Sequence, residues 1–221
     1  MENPAERNSF FSGLRLELPY LIDALGSGHG FFHQPEQLHF LNEILADHLR
    51  HRAEPPSAFL AVGCDHGLDA YSLAITCLET VRVHGPFAFS ILATDFLPDN
   101  VQRARRGVYP ARSVDRLPRE LVARYFLRSR SATKAEVRLR PGVRARLNFR
   151  CQDIFERFSL REPMDVILCR QIVHHFEPRL QKALVQRLRG YLAPGGLLVL
   201  GSDITEERGW KRIGPAIYQA R

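Results

Sequence analysis

SAFLAVGCDHGLDAYSLAITCLET, residues 57–80, is the stretch on which the fold turns. Its opening, SAFLAVG (57–63), is apolar or small without polar alternation, as expected of a strand covered on both faces. Gly63-Cys64-Asp65-His66-Gly67 follows directly, and Asp69–Thr80 reads as a helix. Glycines there let the backbone come close to a ligand, and the helix N-terminus favours a polar or anionic group. Alone, this strand–turn–helix unit is equally an ordinary tight turn. Asp95 sharpens it. It closes the second strand, Phe87–Thr94, 32 residues past Gly63, where a doubly wound sheet presents an acid to ribose hydroxyls. Glycine turn and acid together point to an adenosine ligand. No G-x-G-x-x-G occurs, which lowers the case for a nicotinamide dinucleotide.

Outward from this unit, strands and helices alternate. Leu38, Leu41, Ile44, Leu45 and Leu49 share a helical face over about Pro35–Arg50, and Leu14–Ala24 suggests a short helix beginning near Pro19. Further helices are expected at Pro98–Arg106, Pro118–Phe126 and Pro178–Leu192. Met164–Cys169 and Leu197–Gly201 are compact apolar strands, with Ala193-Pro194-Gly195-Gly196 as a helix stop between them. Glu136–Leu139 and Val143–Phe149 alternate like short exposed strands, a small antiparallel β insertion within 131–150. Ala216–Tyr218 is expected to close the sheet at an edge. The fold class is therefore α/β, a Rossmann-like doubly wound and mainly parallel sheet. Residues 1–56 form a short N-terminal helical segment and 57–221 the cofactor-binding domain.

Composition excludes several classes. At 221 residues, 45% hydrophobic and 25% charged, the chain is an ordinary globular sequence. It has no apolar run of membrane-spanning length and no apolar core of a secretory signal near Met1, so no membrane insertion and a cytoplasmic location are expected. Cys64, Cys77, Cys151 and Cys169 are dispersed without a C-x-x-C pair, which speaks against zinc and against a disulfide framework. Net charge is +7 and unevenly placed: from Arg103 to Arg150 there are fourteen arginines and Lys134 against Asp115, Glu120 and Glu136. Such a block is either a solvated face or a surface for an acidic helical protein. Without a base-stacking pattern of aromatics, nucleic acid is disfavoured.

Seven stretches together resemble the CheR-type chemotaxis-receptor glutamate methyltransferases, which belong to class I and use S-adenosylmethionine. They are GFFHQPEQLHFL (30–41), AVGCDHGLDAYSLAI (61–75), LATDFLPDNVQRARRGVYP (92–110), LPRELVARYF (117–126), NFRCQDIF (148–155), DVILCRQIVHHF (165–176) and PGGLLVLGSD (194–203). The resemblance implies S-adenosylmethionine as cofactor, with Asp95 on the ribose and Asp69 at the cofactor's amino-acid end. It also implies Asp153 and Ile154 at the adenine, and brings Gly63, Gly67, Arg170 and Gln171 into the cofactor site. Ser27 and His29 stand where the family has an asparagine and a threonine.

Departures from the family pattern cluster on the substrate side. His33 replaces the arginine of the family's "FFR", and His175 the tyrosine of its "IYF". Asp65-His66-Gly67-Leu68-Asp69 replaces its "S-T-G-E-E", and Ile204 its last acid. His33 and His175 are thus the candidate catalytic positions. The helical domain that usually precedes "FF" has about thirty residues of counterpart. Glutamate methylation is the first reading. The alternatives are a hydroxyl or amine acceptor with His175 as base, or a non-catalytic cofactor-binding regulator or scaffold.

Overall fold

The computed structural model describes residues 30–50, 57–129, 135–156, 159–204 and 209–221. The expected helix near Pro19 and the site candidates Ser27 and His29 lie outside them. In chain order the helices are α1 (Pro35–Arg50), α2 (Leu68–His84), α3 (Pro98–Arg106), α4 (Arg119–Tyr125), α5 (Pro141–Arg144) and α6 (Pro178–Arg189). The strands are β1 (Ser57–Val62), β2 (Phe89–Asp95), β3 (Val108–Pro110), β4 (Phe126–Arg128), β5 (Glu136–Leu139), β6 (Leu147–Cys151), β7 (Met164–Cys169), β8 (Leu192–Leu200), β9 (Trp210–Gly214) and β10 (Ile217–Ala220).

Seven strands form one sheet in the order β6-β2-β1-β7-β8-β10-β9. The first five are parallel, and β10 runs antiparallel to both neighbours. Every residue of β1 and β7 is buried, the consequence of helices on both faces. Alternate side chains feed two cores. Phe59, Ala61, Ile91 and Val166 pack with Leu73 and Ile75 of α2 and Leu41 and Leu45 of α1. Leu60, Val62, Ile167 and Leu198 pack on the other face with Leu184 and Leu188 of α6. The direction of winding reverses between β1 and β7, so the crevice at their C-terminal ends is where this topology binds ligands.

Three expectations are corrected. The small antiparallel sheet is β3-β5-β4, and it draws two of its strands from before residue 131. Leu147–Cys151 is instead the outer parallel strand of the main sheet, because Phe149 buries against that core. Val143 lies in α5, which Pro141 starts by fixing φ at the first helical position. Second, the sheet does not end at Ala216–Tyr218. β9 lies outside β10, a strand disguised by its exposed Lys211 and Arg212. Third, Ala193–Gly196 does not terminate the helix, which ends at Arg189. These residues lie within β8, where pairing with β7 jumps from Met164–Leu192 to Val166–Leu197, a bulge that the positive φ of Gly195 (72°) accommodates.

Candidate functional site

A cavity lies at the C-terminal ends of β1, β2 and β7. Gly63, Asp69, Asp95, Asp153, Ile154, Gln171 and His175 all line it, so the chain topology brings together seven of the residues singled out in the sequence. Its apolar surfaces include Val62, Phe155 and Phe176, the two rings meeting edge-to-face at 5.2 Å. The turn after β1 needs its glycines. Gly63 has φ +63°, and a Cβ there would lie 2.6 Å from Cγ2 of Ile172. Gly67, at the N-terminus of α2, has φ +89°, and its Cβ would lie 2.9 Å from that of Ala104. Gly67 does not line the cavity; it lets the turn pack against α3.

Asp95 is buried and held from three directions. Its Oδ2 accepts from the Asp65 backbone N–H at 2.8 Å, and its Oδ1 from the Leu97 N–H at 3.0 Å and from Asn100 Nδ2 at 3.2 Å. Burial raises its carboxyl above the ordinary range, against the pull of these donors. A carboxylate offers about four acceptor sites, so ribose hydroxyls would use what these three bonds leave. Asn100 is a residue that sequence reasoning passed over; its signal is its position one helical turn past Leu97 on α3, facing back to the strand end. Asp153 caps its own turn, with Oδ1 accepting from the Phe155 N–H at 2.8 Å.

Asp69 is not a free carboxylate. Arg170 donates to it through Nη2 at 2.6 Å and Nε at 3.3 Å, and Gln171 Nε2 donates at 3.1 Å. The Arg170 side chain is fully buried and reaches α1 as well. Its Nη1 lies 3.4 Å from the Gln34 carbonyl and 3.3 Å from Gln37 Oε1. Gln34 and Gln37 in turn donate to the carbonyls of Gly201 and Leu200 at 2.9 and 2.8 Å. Arg170 therefore stands behind the cavity wall rather than in it.

The two histidines part company. His175 lines the cavity, and its Nε2 is buried without a hydrogen-bond partner. Burial, and then His174 beside it at 3.9 Å between ring centroids, hold its pKa below the usual histidine value. His33 lines an adjoining groove with Phe32, Tyr109, Arg112 and Leu121. Gly30, His66 and Leu68 border both hollows.

A glycine cradle that a Cβ would fill, a strand-end acid, apolar walls and an orphaned buried nitrogen suit an adenosine-bearing cofactor. Among the described residues, no cluster of histidine, cysteine and carboxylate side chains could hold a metal. With its cavity at the reversal of a seven-stranded sheet, the molecule has the class I methyltransferase architecture. Residues 29–211 match the model of the CheR methyltransferase, SAM binding domain, and the chain belongs to that family. It is 28% identical to chemotaxis protein methyltransferase 2 of Pseudomonas aeruginosa, over 90% of this chain and 66% of that one. Identity is 27% to the chemotaxis protein methyltransferase of Salmonella typhimurium, over 90% of this chain and 64% of that one. With chemotaxis protein methyltransferase 2 of Vibrio cholerae it is 30%, over 87% and 67%. The chain spans about two thirds of the length of these relatives. Among solved structures, N-methyltransferase NodS of Bradyrhizobium japonicum shares 18% identity at a TM-score of 0.45, over 82% of this chain and 70% of that one.

Proposed function

We propose that this chain is an S-adenosylmethionine-dependent methyltransferase of the CheR type, working in the cytoplasm, whose acceptor is a protein glutamate carboxylate. The observation that carries this reading is Asp95, buried and anchored at the end of β2 in a chain of this family. The cofactor, when bound, supplies an electrophilic methyl on a sulfonium. Asp95 would accept from the ribose, Asp153 and Ile154 would contact the adenine, and Gly63 would let the backbone approach. Asp69, neutralised by Arg170, would meet the amino-acid end with Gln171. A glutamate carboxylate is ionised at neutral pH and needs no base. The methyl would pass from the sulfonium sulfur to one of the carboxylate oxygens, so the residues' own task would be alignment and exclusion of water.

The acceptor's carrier is read as an acidic helical protein, attracted by exposed arginines such as Arg103, Arg106, Arg116 and Arg119. Among the described residues, no helix is long and apolar enough to cross a membrane. One observation favours a second reading. The unpartnered Nε2 of His175, kept neutral by its burial, suits a base for a hydroxyl or amine acceptor.

Calorimetric titration with S-adenosylhomocysteine tests the shared premise; no binding at millimolar ligand would favour a scaffold role instead. A tritiated-methyl transfer assay followed by mild base then separates the acceptors. Methyl esters release methanol under base, whereas ethers and amines keep their label. Base-stable label would sink the glutamate reading.

A further inference from the structure

The cavity and the adjoining groove meet at the N-terminus of α2, where Gly30, His66 and Leu68 border both. Of these three, His66 alone carries a polar side chain, and about 30% of that side chain is exposed. A group lying in the groove and receiving something from the cavity would therefore find this imidazole as the polar side chain at the junction.

The roles of the two ring nitrogens follow from the Arg103 contact. Arg103 Nη1 lies 3.3 Å from His66 Nε2. A guanidinium can only donate, so Nε2 is the acceptor and the ring hydrogen resides on Nδ1. The Asp65 carboxylate is 3.6 Å from the same Nε2, too long for a hydrogen bond. In this contact His66 has its Nδ1 N–H to offer. Its backbone is fixed as well. The Tyr109 hydroxyl donates to the His66 carbonyl at 2.6 Å, and the Gly67 N–H donates to the Cys64 carbonyl at 2.7 Å.

The geometry points to His66 as the residue that orients the methyl acceptor, donating Nδ1–H to one oxygen of a carboxylate that lies in the groove. This rests on the carboxylate-methyltransferase reading. A single donor holds one oxygen and leaves the other facing the cavity. An arginine in that place would engage both oxygens and draw charge from the one that must attack. Arg112 and Arg116, on the groove's rim, would favour a charged over a neutral acceptor without entering the line of transfer.

The test uses the full chain saturated with S-adenosylhomocysteine and two synthetic helical peptides that differ by one glutamate-to-glutamine change. Hydrogen bonds to charged groups exceed those to neutral ones by about tenfold in affinity, so the wild type is expected to prefer the glutamate peptide by about that factor. In His66→Phe the preference should fall below about threefold; both peptides are compared on the same variant saturated with S-adenosylhomocysteine, so a change in cofactor affinity does not enter the ratio. His66→Asn, whose amide nitrogen overlies Nδ1, should restore most of it. The assignment is overturned if His66→Phe keeps the preference or if the loaded wild type binds no glutamate peptide. Failure to bind S-adenosylhomocysteine at all would instead remove the methyltransferase reading beneath it. Should His66→Phe not fold, the imidazole nitrogen chemical shifts of 15N-labelled wild type decide. A hydrogen on Nδ1 is required, and one on Nε2 refutes the assignment.

Discussion

Gly63, Asp95 and His175 each do one thing that another residue type would do badly. At Gly63 the left-handed backbone and the Ile172 side chain both oppose a Cβ. Gly63→Ala should therefore cost about 1–3 kcal/mol of stability, read from the urea midpoint, and should weaken S-adenosylhomocysteine binding because the turn must shift. At Asp95, replacement by alanine removes the acceptor of three protein donors and of the proposed ribose contact. Calorimetry should show affinity for S-adenosylhomocysteine reduced by about 10- to 100-fold. At His175 the pKa is depressed in the folded chain. The unfolded chain then binds the proton first, between that depressed value and the unfolded value of about 6.5. Its contribution is fully present above that unfolded value and is lost as pH falls through the window. His175→Phe should consequently show a flatter dependence of the urea midpoint on pH than the wild type between about pH 7 and 5.

A chain of polar contacts joins several elements around the site. Arg170, just past β7, ties α2 through Asp69 to α1 through Gln37 and to the segment before it through Gln34. The two glutamines extend this tie to the end of β8. Breaking such a buried pair from one side leaves a charge without a partner. Arg170→Met should cost about 3–5 kcal/mol, whereas Asp69→Leu combined with Arg170→Met should recover a sizeable part of the loss. A double-mutant cycle on denaturant midpoints checks this; additive losses would mean that the pair is not coupled. The sequence makes β1 and β7 legible, since strands buried on both faces carry uninterrupted apolar runs, and marks β2 by its apolar stretch closing on Asp95. It conceals β9, which pairs on one side and presents Lys211 and Arg212 to solvent. It also misassigns Val143–Phe149, whose alternation reads as an exposed strand, although the strand there is Leu147–Cys151 and Phe149 buries against the main core.

At the scale of the molecule, α1 shares the core of the sheet. Leu41 and Leu45 are fully buried beside Phe59 and Leu73, and Phe31 meets Tyr109 and Phe126 edge-to-face at 5.0 and 4.9 Å. This joins the segment before β1 to both the main sheet and the small one. Leu41→Ala should lower the stability of the whole unit by about 2–5 kcal/mol, in one cooperative transition followed alike by fluorescence and circular dichroism. Two separated transitions would show that α1 folds as an independent part.

What the sequence by itself determined is local: the apolar runs of the central strands, the glycine turn after β1, the acid at the end of β2, and the family pattern that links them. Each is written in a contiguous stretch, and such stretches are read by period and spacing. What the tertiary structure decided is which side chains face one another. It put His175 in the cavity and His33 in the groove, occupied Asp69 with Arg170, supplied Asn100 to Asp95, and set His66 at the junction of the two hollows. These pairings join residues from different helices and strands, and such contacts follow from how the elements cross in space, on which residue spacing along the chain is silent.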